Sequence, residues 1–562
     1  MSKDIFKTSF SRNIFRQKYA QSKTDTWEAL SERLVDDVCG TLQGTLEPQL
    51  SKTDQEEILK YHSEMKFIAG GRYLYYAGRP LHAWNNCFLL KAEEDTREEW
   101  GALLKRSSDC LMVGGGIGID YSVFRGKDAP LSRTGGKSSG PIPLMVSVNE
   151  HGRNVMQGGS RRSAIYASLN WQHPDIERFL AIKDWKALSI GRQKKRDGSP
   201  YTVWDAKQDD FNFPAPLDMT NISPNYDDSF LKQLKTGLPS TFVKNVRQAL
   251  STAEPGFSFN FGRQEMQTLR NACTEVVSEN DSDVCNLGSV NMANVETIEE
   301  FKAVVQAGAK FLVCGTTRAD LPYDKVYQIR EKNRRLGLGL MGIHEWLLKR
   351  GYAYEVVPEL KDWLHIYEVY SKNSADELCN KLSLSLPVAY RAIAPTGSIG
   401  ILASTTTAIE PMIAVAFKRR YLTEGTRWKY EYVVDVTADH MIKTLGIDAD
   451  KIETAYSLAE TPEKRIKFQA DVQDYVDMAI SSTINLPQWG SDLNNEDKVI
   501  PFAKTLAEYA PRLRGFTCYP DGSRGGQPLT SVPYHEALKN KDMVFDEVDI
   551  CDLSGKGGTC GG

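Results

Sequence analysis

From Gly70 onward, short apolar runs bounded by glycine alternate with longer stretches of helical periodicity, and a chain written this way has few ways to bury itself. Helical patterns recur at about 97–112, 298–316, 336–351 and 359–384, with strand-like segments such as 256–260 and 399–403 between them. Alternation of this kind favours an α/β sheet or barrel. The first 70 residues read as helices: Thr24 or Thr26 caps one carrying Trp27, Leu30, Leu34, Val35 and Val38, and a second runs from about 54 to 67. The end of the chain changes texture again. It closes on S-G-K-G-G-T-C-G-G, with little to bury, and reads as a mobile tail.

A net charge of −4 gives no basic field, which argues against a nucleic-acid polymer as partner. The N-terminus lacks a signal-peptide core and no apolar run reaches spanning length, so a cytoplasmic protein without a membrane partner is expected. Ten cysteines stand at 39, 87, 110, 273, 285, 314, 379, 518, 551 and 560. In a reducing compartment they are not structural staples. Cys39, Cys110, Cys314 and Cys379 lie in helical stretches and read as small core residues. There is no C-x-x-C and the eight histidines are scattered, so no metal site is expected. Two glycine motifs fail: G-G-G-I-G-I-D at 114–120 has Ile119 where a dinucleotide loop needs its third glycine, and G-K-S at 136–138 has Leu131 where a phosphate loop needs its first.

The informative stretch is N-A-C-T-E-V-V-S-E-N-D-S-D-V-C-N-L-G-S-V-N-M, residues 271–292. If 271–275 is extended, Asn271, Cys273 and Glu275 project from one face. A carboxylate can act as general base, a thiol as hydrogen-atom or electron donor, and an amide can orient a hydroxyl. Spacing alone favours the plainer reading, a strand with one polar face. N-A-C-T-E, followed by C-N-L-G-S-V-N, resembles the finger loop of ribonucleotide reductases. In the same order N-N-C-F-L-L (85–90), G-G-G-I-G-I-D, Q-G-G-S-R-R (157–162), N-R-R-L-G-L-G-L-M-G (333–342) and A-P-T-G-S-I-G (394–400) resemble further segments of that family.

The resemblance implies a ten-stranded α/β barrel of two antiparallel halves, each of parallel strands, with the finger loop through its centre. It implies three parts: a helical N-terminal region 1–70 without an ATP cone, a catalytic barrel 71–535, and a redox-shuttle tail 536–562. Cys273 would hold a thiyl radical that takes the ribose 3′-hydrogen, Glu275 would remove the 3′-hydroxyl proton, and Asn271 would hold the sugar. Cys87 and Cys285 would supply two electrons as they close into a disulfide, which requires Cα atoms within roughly 7 Å. Pro395, Thr396, Gly397, Ser398 and Ile399 would bind the substrate's phosphates, with Asn86 and Gly116 as further substrate contacts. Cys551 and Cys560, with eight residues between them rather than the family's closer spacing, would carry the oxidation out to a thioredoxin- or glutaredoxin-like reductant.

A thiyl radical needs a cofactor or a partner to make it. The metal-dependent class I branch resembles this chain least where it uses two adjacent tyrosines, because F-T-C-Y-P-D-G-S-R-G-G-Q-P-L at 516–529 has Cys518 before Tyr519. That segment, G-G-R-Y-L-Y-Y-A-G at 70–78 and the N-terminal F-S-R-N-I-F-R-Q-K-Y-A resemble the class II branch, which implies adenosylcobalamin. The alternative is a radical delivered by a metal-containing small subunit. D-M-T-N-I-S (218–223) resembles the family's strand preceding the loop that couples a nucleotide effector to substrate choice; that effector, a ribonucleoside di- or triphosphate substrate, and a monomer or homodimer complete the expectation.

Overall fold

The computed structural model describes residues 5–41, 48–85, 87–132, 134–157, 161–210, 212–423, 427–523, 529–541 and 543–546. Five strands run parallel in chain order: β1 (Cys87–Lys91), β2 (Gly116–Asp120), β3 (Ile165–Asn170), β4 (Thr220–Tyr226) and β5 (Phe257–Phe259). A second parallel set begins with β6 (Asp283–Asn291) beside β7 (Leu336–Met341) and ends with β8 (Thr483–Leu486) beside β9 (Gly515–Pro520). Between them, the segment at 391–393 bridges Leu338 to Arg391 and Ile393 to Ile480, both parallel. The two sets meet at antiparallel seams, β1 against β6 and β5 against β9. The ring is therefore closed by ten staves in two opposed halves, as the resemblance implied. A short strand, Phe67–Ala69, adds an antiparallel edge on β6.

Parallel staves need crossovers, and helices supply them on the outer face. Ile298–Arg318 and Pro358–Lys381 cover the second half, and Trp27–Cys39 and Lys52–Ser63 pack over the first of these. Thr26 caps its helix, accepting from the Ala29 N–H at 3.2 Å. Cys39, Cys110, Cys314 and Cys379 are all buried in helices.

Two sequence expectations are corrected. Residues 336–341 are β7 rather than the start of a helix, which begins only at Ile343. Every β7 residue is buried, so the run carries no period to tell strand from helix. Residues 399–403 belong to a helix, Gly397–Ala403, rather than to a strand. Thr396 turns left-handed (φ +50) and its Oγ1 accepts from the Ala408 N–H at 2.8 Å, which bends the chain into that helix. Outside the barrel, Ala416–Thr423, Arg427–Val434, Leu529–Ser531 and Val544–Asp546 form an antiparallel sheet. Its last strand and helix Tyr534–Lys539 lie largely within the span 536–562 expected to be a loose tail. Among the described residues no helix is long and apolar enough to cross a membrane.

Candidate active site

After β5 the chain turns back into the lumen as a hairpin, Leu269–Arg270 paired with Val277–Ser278. Its stem is fixed by Arg270, fully buried, whose guanidinium donates to Ser258 Oγ (2.6 Å), the Phe259 carbonyl (3.2 Å), Asn260 Oδ1 (3.0 Å) and the Arg514 carbonyl (2.5 Å). Burial pulls its pKa down to about 10. The returning arm is held at Asp283, whose Oδ2 accepts from Ser278 Oγ (2.6 Å), Asn333 Nδ2 (2.8 Å) and Arg335 Nε (3.0 Å).

The lumen has room for this hairpin because the staves facing it are cut down to glycine and alanine. A Cβ on Gly118 would sit 1.5 Å from the Arg270 carbonyl oxygen, and one on Gly337 would meet Leu287 Cδ2 at 2.4 Å and Cys285 Sγ at 3.0 Å. Ala389, Ala392, Ala394 and Ala479 line the inner apolar cluster together with Cys87, Cys285 and the hairpin's Leu269, Val276 and Val277.

At the tip the extended reading of 271–275 is wrong. The Thr274 N–H donates to the Asn271 carbonyl at 3.0 Å and Thr274 is left-handed (φ +71), so these residues make a tight turn. The three side chains nevertheless share one cleft of about 320 Å³, because the turn folds around Asn271. Asn271 Oδ1 accepts from the Val276 N–H at 2.9 Å, and its Nδ2 donates to Cys87 Sγ at 3.0 Å. Glu275 Oε1 lies 4.0 Å from Cys87 Sγ. The other carboxylate oxygen, Oε2, is buried without a hydrogen-bond partner among the described residues, and burial pushes Glu275 up to about 7. Cys273 is half-buried on the cleft wall.

Cys87 and Cys285, 198 positions apart in sequence, are register partners across the first seam. Directly opposed antiparallel residues have Cα atoms about 4.5–5.5 Å apart and side chains on the same face. That is inside the range a disulfide spans. Burial first, and then the negative Glu275, raise Cys87 well above the ordinary thiol range; burial does the same for Cys285. Both are held as neutral thiols. Cys87 lines the cleft, and the fully buried Cys285 does not.

Ala394 through Ile399 form the opposite wall. Gly116 also lines the cleft, and a Cβ there would press on the Ala272 methyl at 3.3 Å. Asn86, Cys551 and Cys560 lie outside the described residues, as do residues 158–160 of Q-G-G-S-R-R. Residues not anticipated as site residues also border the cleft: Tyr19, Arg72 and Leu287–Ser289. The N-terminal helix Ser9–Lys18 leads into it, and Lys18 Nζ donates to Ser398 Oγ at 3.2 Å. Arg72 donates to the carbonyls of Ala83, Val113 and Gly114 and so fixes the glycine turn. Lys18, Tyr19 and Arg72 all fall in segments that carried the resemblance, which was the available signal.

The sequence is 25% identical over 571 residues to a vitamin B12-dependent ribonucleoside-diphosphate reductase of Mycobacterium tuberculosis (strain CDC 1551 / Oshkosh), covering 89% of this chain and 76% of that protein. It is 25% identical to one of the same description from Thermoplasma acidophilum, covering 85% of this chain and 66% of that one. The chain thus spans about two thirds to three quarters of their length. A solved structure, the Actinobacillus ureae class Id ribonucleotide reductase alpha subunit, superposes with a TM-score of 0.67 over 92% of this chain and 97% of that one, at 15% identity, and shows the same fold. The family model "Ribonucleotide reductase, barrel domain" matches residues 85–235, 242–363 and 388–509. Those matches take in nine of the ten staves, all but β9, together with the hairpin, and on that ground this chain belongs to the ribonucleotide reductase family.

Proposed function

We propose that the chain reduces ribonucleotides to 2′-deoxyribonucleotides by thiyl-radical chemistry at the hairpin tip. The observation that carries this is the cross-seam pairing of Cys87 with Cys285 in the cluster beneath Cys273 and Glu275. A thiyl radical on Cys273 takes the 3′-hydrogen of the ribose and returns it at the end. Glu275 removes the 3′-hydroxyl proton while Asn271 orients the sugar. The 2′-hydroxyl leaves as water, and Cys87 and Cys285 give up two electrons and two protons as their sulfurs bond. The sum is one ribonucleotide and two thiols giving one deoxyribonucleotide, one disulfide and one water. The 395–399 turn takes the phosphates through backbone N–H groups, which Gly397 leaves open: a Cβ there meets nothing within 4 Å. Di- or triphosphate substrates, a nucleotide effector and a dithiol-protein reductant belong to this reading, with Cys551 and Cys560 as the shuttle. So does a cytoplasmic location.

Adenosylcobalamin is the radical source in this reading, and the two relatives named above are described as vitamin B12-dependent. When bound, it supplies the one-electron oxidation that makes the Cys273 radical. A corrin is larger than this cleft, so residues beyond its lining would have to help hold it, with Cys273, half-buried on the cleft wall, as the thiol it would oxidise. A second cavity of about 210 Å³, bordered by Asn485, Leu493 and Tyr519, opens at the same end of the barrel and offers residues to hold one edge of it. Alternation along β9 separates Cys518, buried among aromatics on the helix side, from Tyr519 on the face that Gly515 shares toward Thr274. The strand therefore offers one tyrosine toward the lumen where the metal-dependent branch uses two adjacent ones. The purified chain with adenosylcobalamin, a ribonucleotide and dithiothreitol is expected to make deoxyribonucleotide unaided. Product that forms only with a metal-containing partner protein overturns the cofactor assignment.

Two further results are expected. In one turnover without external thiol the reduced chain loses two titratable thiols, and a Cys285→Ala chain loses none; equal loss in both rejects the pair. Because Glu275 sits near 7 and acts deprotonated, turnover rises with pH on an acid limb through about 7. Glu275→Gln removes that limb and lowers kcat by roughly 10²–10⁴-fold. The same group contributes to stability in the opposite sense. Its folded pKa lies above its ordinary value of 4.5, so its contribution is complete below that pH and is lost as pH rises through about 7.

A further inference from the structure

A nucleotide's phosphates would bring several negative charges to the cleft, where the charged lining residues among those described are Arg72 and Glu275. Arg72 is already committed, because its guanidinium donates to the carbonyls of Ala83, Val113 and Gly114. The turn 394–400 contains no basic residue. It can offer backbone N–H groups and the hydroxyls of Thr396 and Ser398, so charge compensation has to come from beyond it.

The N-terminal helix Ser9–Lys18 carries a cation to that place. It packs against helix Gly397–Ala403, which the turn opens. Its anchor is the buried Phe15, whose ring centroid lies 5.3 Å from that of Phe6 and 6.2 Å from that of Trp27. Tyr19 closes the helix, its N–H donating to the Phe15 carbonyl at 2.9 Å, and its buried side chain lines the cleft. Lys18 is thereby held one turn beyond Phe15, exposed at the rim between two lining residues, Tyr19 and Ser398. Its Nζ donates to Ser398 Oγ at 3.2 Å, across 380 positions of sequence. The helix dipole favours a lysine in a last turn, but it does not direct the side chain to the hydroxyl of another element.

An ammonium has three donors, and a serine hydroxyl that accepts from it keeps its own proton to pass onward. We propose that Lys18, with Ser398, binds the terminal phosphate of a nucleotide seated at the 395–399 turn, and so favours ribonucleotides with more than one phosphate. The backbone of the turn takes the phosphate next to the sugar, and Lys18, which borders the cleft from outside, meets the one farther out. This rests on the phosphate placement proposed above.

Calorimetric titration of the full chain with 2′-deoxycytidine, its monophosphate and its diphosphate, which lack the hydroxyl to be removed, tests this. Lys18→Met is expected to leave nucleoside affinity unchanged, to weaken the monophosphate by less than about threefold and the diphosphate by at least about tenfold. Lys18→Arg, which keeps the charge, is expected to bring the diphosphate back to within about threefold of wild type. Losses that do not grow with phosphate number, or no recovery with arginine, overturn the proposal. In turnover, Lys18→Met is expected to raise KM for a ribonucleoside diphosphate while kcat stays within about twofold, which a helix merely dislodged from the barrel would not do. Binding of these ligands needs no turnover. A chain that makes no deoxyribonucleotide yet shows the graded losses rejects the proposed reaction and keeps this role for Lys18; an active chain with ungraded losses does the reverse.

Discussion

Cys273→Ser is expected to lower turnover at least about a thousandfold, a barrier increase of ~4 kcal/mol, while nucleotide affinity stays unchanged. The residue sits on the cleft wall at the hairpin tip and is not part of the 395–399 turn proposed to hold the phosphates. A serine fits the space of the cysteine, and the Asn271 bonds that shape the turn use no atom of residue 273. What is lost is the proposed radical carrier, since an O–H bond is harder to break homolytically than an S–H bond. Steady-state turnover and equilibrium nucleotide binding, measured side by side, decide the matter. Retention of more than a tenth of the activity would remove Cys273 from the chemistry, and loss of binding would make it a binding residue instead.

The second large effect is structural. Gly118→Ala places a methyl 1.5 Å from the Arg270 carbonyl oxygen, and neither partner is a flexible side chain that can swing away. The strand or the hairpin has to move. Overpacking of this severity is expected to cost at least about 3 kcal/mol, read as a lower denaturation midpoint. Displacing the stem by an ångström also misplaces Asn271, Cys273 and Glu275 together, with an expected loss of roughly a hundredfold in turnover. Gly101→Ala is the control. Gly101 lies in helix Arg97–Met112 with nothing within 4 Å of an added Cβ, so it should be neutral or stabilising by up to about 1 kcal/mol. If the two variants behave alike, the hairpin is not held by that contact.

The grouping of the candidate residues was more legible in the sequence than the local backbone that brings them together. Asn271, Cys273, Glu275, Cys87 and Cys285 were named from residue type and motif order, and they do gather in and beneath one cleft. The local geometry was misread where no periodic signal exists. Residues 271–275 alternate in type, but a left-handed Thr274 and an Asn271 side-chain clamp impose a turn that pattern cannot reveal. L-G-L-G-L-M looked helical because a strand buried on both faces loses its period. The 391–393 stave was invisible for another reason: its pairing is a few bridges between segments far apart in sequence. Arg270 carries no sequence mark at all, since burial of an arginine is decided by tertiary packing.

The first seam joins the two half-barrels by hydrogen bonds alone while Cys87 and Cys285 remain thiols. Once they bond, the same seam is stitched covalently across 198 positions of chain, and the cross-link alone is worth about 5 kcal/mol against unfolding. The molecule would thus toughen and relax once per catalytic cycle. Heating a freshly spent sample should therefore show a later melt than heating one returned to its reduced form.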